Sequence, residues 1–576
     1  MEIGLLAVAA VVVLVGASIL GGRIGIAAPL LLVVIGIGIG YLPMVPPVRV
    51  DPEIILLGVL PPLLYSAAVN TPLVDFRRNI RPIAGLSVVL VLISAIIIGW
   101  LLHLAVPSIP FPVAVALGAV VSPTDAVAAT SIGKRLGMPE RLVSILEGES
   151  LVNDATSLVL LKTALAAIAG SFAFWNAAGT FVFSVAAAIV IGYLVGVLTV
   201  WVRSHLVSPV YDTVVSFVVP FVAFIPAEEI GASGVLAVVV TGLYTGHHSA
   251  KRFSATARMN ERLNWRTLQF VIENGVFLLM GLELHYLVDE VGGDELRFEH
   301  LPLIALGVVA VLILVRALFL VPMLLSMRGA VGRYEARSEG MSRIAERLRG
   351  KKNVDPEKAH RFRMLEQRNQ ADLDHERDQQ LGWRDGAVLS WSGMRGVVTL
   401  AAAQSIPTEV PFRPQLVLVA FFVAVITLLL HGLTLPSVIK RLWPDGPGSQ
   451  HDRKELASLS QDLIEAGNAA LDDLLQQPSG DEELFPTPSE QVVERVRASS
   501  RNALAPLAVA LPATGAIETL EQETPAQAYL RLARLVLDAQ RDALLEERAI
   551  GRYSSSALRA AGLALDAHET RLAPLQ

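Results

Sequence analysis

The chain contains no cysteine, which excludes disulfides, thiolate metal sites and cysteine nucleophiles. Charge is scarce as well. Only 17% of residues are charged, 53% are hydrophobic, and the mean hydropathy is +0.54. A soluble protein of 576 residues seldom has this balance, whereas one that crosses a membrane many times does. No P-loop, glycine-rich phosphate cradle or nucleophile–base pair is visible, so ATP drive and catalysis have no engine here. We therefore expect no cofactor and no enzyme activity, and nucleic acid is not among the expected partners. A cleaved signal peptide is not expected either: Met1–Gly21 is apolar but lacks a basic leading region, and it counts as a membrane helix.

What is present is a series of apolar runs, each near the roughly 20 residues that span a bilayer. They cover 2–21, 25–42, 53–70, 81–106, 110–133, 141–168, 177–202, 211–227, 231–247, 266–288, 301–327, 385–407 and 414–439, about thirteen in all. The loops after odd-numbered runs hold Arg23, then Arg77, Arg78 and Arg81, then Lys134, Arg135 and Arg141, then Arg203. Lys251 to Arg266, the long loop from Arg328, and Lys440–Arg441 continue the series. The opposite loops hold little beyond Arg49, Arg297 and Arg413. Basic loops stay on the cytoplasmic side, which predicts an N-terminus outside and a C-terminus in the cytoplasm of an inner-membrane protein. The expected organisation is a membrane domain over 1–443, a charged cytoplasmic helical insert at 329–384 within it, and a cytoplasmic helical domain at 444–576. The last reads as helices over 455–475, 489–504 and 526–567, with a break at Pro478-Ser479-Gly480-Asp481.

The sixth run departs most from plain hydrophobicity. Between Glu147 and Ser157 it carries three carboxylates, an amide and three hydroxyls. On a helix Glu147, Ser150, Asp154 and Ser157 share a face, with Glu149 and Asn153 beside it. A carboxylate at bilayer depth costs about 3 kcal/mol on insertion scales, so such a stripe must face protein or a water-filled path.

The fifth run contains Ser122-Pro123-Thr124-Asp125. A proline inside a helix frees backbone groups, which a membrane tolerates only against protein or a wet cavity. One reading is a kink with Asp125 capping the second half-helix; the other is a discontinuous helix at an ion site, and the two are compatible. In the twelfth run, Trp391-Ser392-Gly393-Met394-Arg395-Gly396 marks a second break. Runs five and twelve hold corresponding places in two six-run halves, the pattern of inverted-repeat transporters with two crossing discontinuous helices. Arg316, midway along the eleventh run, either reaches a wet crevice or pairs with Glu149, which would leave Asp154 as the unpaired acid. Lys162 is placed as snorkelling, and His103, His247, His248 and His431 as interfacial. Glu273 and Glu283 are open between structural hydrogen bonding and a part in the pathway.

Leu60-Pro61-Pro62-Leu63-Leu64-Tyr65, Ser122-Pro123-Thr124-Asp125-Ala126-Val127, Gly148-Glu149-Ser150-Leu151-Val152-Asn153-Asp154 and Gly393-Met394-Arg395-Gly396 occur in this order and in these runs. Together they resemble the monovalent cation/proton antiporters that include bacterial NhaP and the animal sodium/proton exchangers, over Met1 to about Trp443. The resemblance implies a homodimer in the lipid bilayer, each protomer with a dimerisation part and a mobile core. It implies that Asp154 holds either the cation or protons, with Asp125, Ser150 and Thr124 completing the site and Asn153 as its amide. Glu149 would be bridged to Arg316, with Arg395 as the alternative. Some relatives place an acid after the Leu-Pro-Pro element; this chain has Tyr65-Ser66-Ala67 there.

The expected activity is exchange of cytoplasmic Na+, or Li+ or K+, for external H+, serving intracellular pH and sodium balance. Because Asn153 is neutral, one cation should exchange for one proton without net charge. A K+/H+ antiporter of the same fold is the alternative. A cation channel is the alternative from another class, though no repeated pore loop is present.

Overall fold

The computed structural model describes residues 2–24, 28–42, 53–168, 174–206, 208–291, 298–328, 335, 356–378, 380–443, 449–476, 489–508 and 525–572. Regular structure among them is helical throughout. An apolar solvent leaves the backbone no partner but itself, and a helix satisfies every bond within one segment. The chain forms two compact units. The first comprises Met1–Arg252, Asn260–Arg328 and Leu381–Gly446; the second comprises Phe253–Met259, Gly329–Gln380 and Pro447–Gln576.

Sixteen helices matter to the first unit and its insert. They are α1 (Glu2–Ile24), α2 (Ala28–Gly40), α3 (Ile54–Asn70), α4 (Ile80–Ala105), α5 (Phe111–Val121), α6 (Ala126–Arg135) and α7 (Glu140–Ile168). Then come α8 (Phe174–Ser204), α9 (Pro209–Glu229), α10 (Gly234–Arg252), α11 (Ala255–Glu290), α12 (Leu301–Arg328), α13 (Pro356–Asp378, in the second unit), α14 (Trp383–Trp391), α15 (Val397–Gln404) and α16 (Arg413–Leu442). Among the described residues every expected apolar run falls mostly on helix, with breaks at 122–125 and 392–396. Seven helical stretches, including α4, α7, α9 and α16, are long and apolar enough to cross a bilayer on their own. The protein is an all-α, multi-pass membrane protein.

Two bundles make up the first unit. A core bundle joins α4, α5, α7, α12 and α16 with the shorter pieces α6, α14 and α15; a second bundle joins α3, α8, α9 and α10. Helix α11 touches both, through Trp265 against Tyr65 of α3 at 5.0 Å between ring centroids and through Gln404 of α15 against Met280 and Glu283. It also packs backbone to backbone on α2. A Cβ at Gly36 would lie 2.5 Å from the Leu278 carbonyl oxygen, so only glycine permits that approach.

The second unit is a helical bundle of α17 (Ser449–Gln476), α18 (Glu490–Ala508), α19 (Pro525–Ile550) and α20 (Ser555–Leu572), with α13 packed on α19. Its core is built from Leu459, Leu463, Leu471, Val496, Leu532 and Leu565. Within it Asp566 accepts from Arg258 and, at 3.1 Å, from Arg541. The single helix expected over 526–567 is two. Gly551 ends α19 with φ +75°, its N–H bonded to the Glu547 carbonyl at 2.7 Å, a left-handed stop that suits glycine. Much of the expected insert, 329–334 and 336–355, and the break at Pro478–Asp481 lie outside the described residues.

Candidate functional site

Pro123 cannot donate a backbone bond, and the helix accordingly stops at Val121 and resumes at Ala126. The second break runs from Ser392 to Gly396. The two breaks lie against each other, and the Asp125 N–H donates to the Met394 carbonyl at 2.7 Å. Gly396 is required for space: a Cβ there would sit 1.7 Å from Asp125 Oδ2 and 2.5 Å from its Cγ.

Broken helices expose carbonyl ends that carry partial negative charge. Arg395 is turned onto them. Its Nε donates to the Val121 carbonyl at 3.0 Å, and its Nη groups donate to the Ser122 carbonyl at 3.5 Å and to the Gly393 carbonyl. Its own N–H donates to Thr427 Oγ1 at 3.2 Å. Arg395 is thus occupied by backbone and does not pair with Glu149.

Glu149, 1% exposed, is held by Arg316, itself 3% exposed. The contact is two-pronged: Arg316 Nη2 donates to Oε2 at 2.8 Å and Nη1 to Oε1, while Nε donates to the Leu389 carbonyl at 2.8 Å. Thr124 Oγ1 adds a donation to Glu149 Oε1 at 2.7 Å. The planar guanidinium fork suits a buried carboxylate, and the extra donors satisfy its remaining lone pairs.

The other expected residues gather around the same break. Asn153 Nδ2 donates to the carbonyl and to Oγ1 of Thr124, both at 3.1 Å, while its buried Oδ1 has no hydrogen-bond partner among the described residues. Ser150 Oγ accepts from the Ala126 N–H at 3.4 Å and so caps α6. Asp125 is half-buried. Asp154 is 5% exposed and makes no hydrogen bond or ion pair with any described residue. Asp125 and Asp154 lie within each other's electrostatic reach. The arrangement collects carboxylate, hydroxyl, amide and carbonyl oxygens at a break in the helix, the donor chemistry of a hard cation.

Several residues differ from their expected places. His431 is fully buried on α16, 5.2 Å from the ring of Trp391. Lys162 does not snorkel to solvent alone but meets Glu228 at the end of α9. Arg203, which sequence reading treats as a loop charge, is buried in a cluster of its own. Its Nε and Nη2 donate to Asp212 at 2.7 and 2.8 Å, and Nη1 donates to Glu261 at 2.6 Å. The available signal is Asp212, an acid at the second position of the apolar run 211–227.

Comparison with known proteins agrees with this architecture. The transmembrane sodium/hydrogen exchanger family matches residues 8–441. An uncharacterized Na+/H+ exchanger of Mycobacterium bovis is 28% identical over 574 residues, covering 98% of this chain and 95% of that protein. A sodium, potassium, lithium and rubidium/H+ antiporter of Bacillus pumilus is 29% identical over 425 residues, covering 71% of this chain and 57% of that protein. Among solved structures, the sodium proton antiporter MjNhaP1 from Methanocaldococcus jannaschii superposes with a TM-score of 0.55 at 18% identity. That match covers 77% of this chain and 99% of the other, and shows a shared fold. With its two broken helices crossing at a cluster of acids, the chain belongs to the sodium/hydrogen exchanger family of membrane antiporters.

Proposed function

We propose that the protein exchanges cytoplasmic Na+ for external H+ by alternating access, with Asp154 as the seat that cation and proton share. One observation carries this reading: Asp154 is buried and bonded to no described residue, in a bundle where Glu149, Arg316 and Arg395 all have partners. A buried carboxylate without a protein partner must be neutralised by something that arrives from water. If the core crosses the membrane only when Asp154 is neutral, cation and proton compete and exchange is obligatory. Asp125, Ser150, Thr124 and Asn153 supply the surrounding oxygens. Asn153 adds no charge, which supports an electroneutral exchange of one cation for one proton.

In this proposal 1–443 is the transporting domain of a homodimer in the inner membrane, N-terminus outside. The 329–384 insert and the 444–576 tail are cytoplasmic, and the cellular role is pH and sodium balance. The multi-ion name of the Bacillus pumilus relative keeps K+/H+ exchange as a second reading for the same site.

The test is reconstitution with a pH-sensitive dye, adding Na+, K+ or Li+ to vesicles with a preset pH gradient. Wild type should collapse the gradient only when a transported cation is added. Asp154→Asn should lose exchange by roughly a hundredfold or more, the scale on which losing a central charged group acts. Exchange at wild-type rate by that variant would remove Asp154 from its role. A current that follows the membrane potential would instead refute the stoichiometry.

A further inference from the structure

Helix α11 carries a stripe that the exchange site does not use. Trp265, Gln269, Glu273, Val276, Met280 and Glu283 are spaced by three or four residues and so share one face of the helix. Both ends of the stripe are fixed by contacts. At the N-terminal end Trp265 packs on Tyr65 and Gln269 Oε1 accepts from Ser66 Oγ at 3.1 Å, both on α3 of the second bundle. At the other end Gln404 Nε2 of α15, in the core bundle, donates to Glu283 Oε2 at 2.6 Å and lies 3.8 Å from Met280 Sδ.

Glu273 lies between these anchors, and its height can be read from helix geometry. From Met280 back to Glu273 is seven residues, and from Gln404 back to Val397 is also seven. At 1.5 Å per residue each step descends about 10 Å. Both helices are even-numbered crossings in the expected topology and run in the same direction, so Glu273 comes level with the start of α15. That is where Gly396 sits against the Asp125 carboxylate. Asp125 and Glu273 also lie within each other's electrostatic reach.

The carboxylate is held but not spent. Gln269 Nε2 donates to Glu273 Oε1 at 2.6 Å, and Oε2 has no partner among the described residues. Glu273 is half-buried, in contrast to the enclosed Glu149. No arginine or lysine is bonded to it among the described residues, so a purely structural ion pair lacks its second half. At the break itself, the buried Asn153 Oδ1 is without a partner among the described residues.

We infer that Glu273 is a further cation-binding residue of the exchange site, an acid contributed by α11, the helix that touches both bundles. It faces the Asp125–Asp154 pair across the bundle boundary and draws a hard monovalent cation such as Na+ or Li+ toward it. Ser66 and Gln269 are positioning residues, which fix the carboxylate through the chain Ser66–Gln269–Glu273. This inference rests on the assignment of the site to Asp154.

The experiment compares wild type, Glu273→Gln, Glu273→Asp and Asp154→Asn in the same proteoliposomes, reading KM for Na+ and maximal rate separately. Glu273→Gln keeps shape and removes charge. It should raise KM roughly tenfold, the scale on which one charge acts through a partly wet interior, while the maximal rate stays within about twofold. Glu273→Asp, which keeps the charge, should restore most of the affinity. Should Glu273→Gln insert poorly, Na+-dependent thermal stabilisation of the purified protein gives the same affinity from the folded fraction. An unchanged Na+ affinity in Glu273→Gln, beside an inactive Asp154→Asn, overturns the inference and leaves the site standing. An active Asp154→Asn removes the site itself.

Discussion

The two bundles of the membrane unit each bury arginine, and they use it differently. In the second bundle Arg203 is clasped by Asp212 and Glu261, so side-chain charge meets side-chain charge. In the core bundle Arg316 has one carboxylate and a carbonyl, and Arg395 has carbonyls alone. Positive charge in the core is therefore spent partly on the ends of broken helices, and Asp154 is left without a partner among the described residues. Burying charge is tolerated where each charge is answered; where an acid is not answered, a function is the natural reading. The second bundle is a scaffold held by matched charges, and in the proposed exchange the core is where a cation from solution completes the match.

The sharpest way to break this contrast is to fill the space where the breaks meet. Gly396→Ala places a methyl group 1.7 Å from Asp125 Oδ2. Nothing there is the free end of a long side chain, so Asp125 or the backbone must move. We expect exchange to fall by at least about a hundredfold, since displacing reacting groups by an ångström costs on that order. An alanine variant with normal Na+ affinity would mean that the crossing is not part of the site.

The next test separates scaffold from site by removing an arginine from each bundle. Arg203→Ala and Arg316→Ala both strand buried carboxylates, and each should cost about 3–5 kcal/mol of stability, seen as a lower melting temperature and poorer yield. Their folded fractions should differ. Arg203→Ala should keep wild-type KM for Na+, because its partners Asp212 and Glu261 lie outside the site. Arg316→Ala should not, because the freed Glu149 no longer holds Thr124, which Asn153 also grips. Equal KM values in the two variants would erase the distinction.

The legible part of this protein is what the bilayer makes costly. The acids and amide of Glu147–Asp154 and the Ser122–Asp125 break stand out because polar groups and prolines at that depth need a reason. Partners are harder. Glu149 and Arg316 lie 167 residues apart in sequence, and either could have been answered by water. Arg395 bonds to carbonyls, which every residue owns, so its side-chain type could not name its partners. Arg203 reads as a loop charge because it falls just past the apolar run 177–202, whereas α8 continues through it to Ser204. The stop at Gly551 was hidden by a helix-like pattern on both sides of one glycine.

The smallest expected effect concerns the strap between the bundles. Lys162 of α7 meets Glu228 of α9, whose other oxygen accepts from the Gly234 N–H at 3.0 Å. With the two side chains 59% and 31% exposed, water competes for both charges, and such pairs contribute about 0–1 kcal/mol. Lys162→Gln should therefore lower the melting temperature slightly at low salt. The difference should vanish near 1 M salt, where the screening length is only about 3 Å. Exchange rate should barely change. A loss as large as that of Arg203→Ala, or one indifferent to salt, would mean that this pair is shielded in a way its exposure denies. The division into matched scaffold and unmatched core would then need a third, charged hinge.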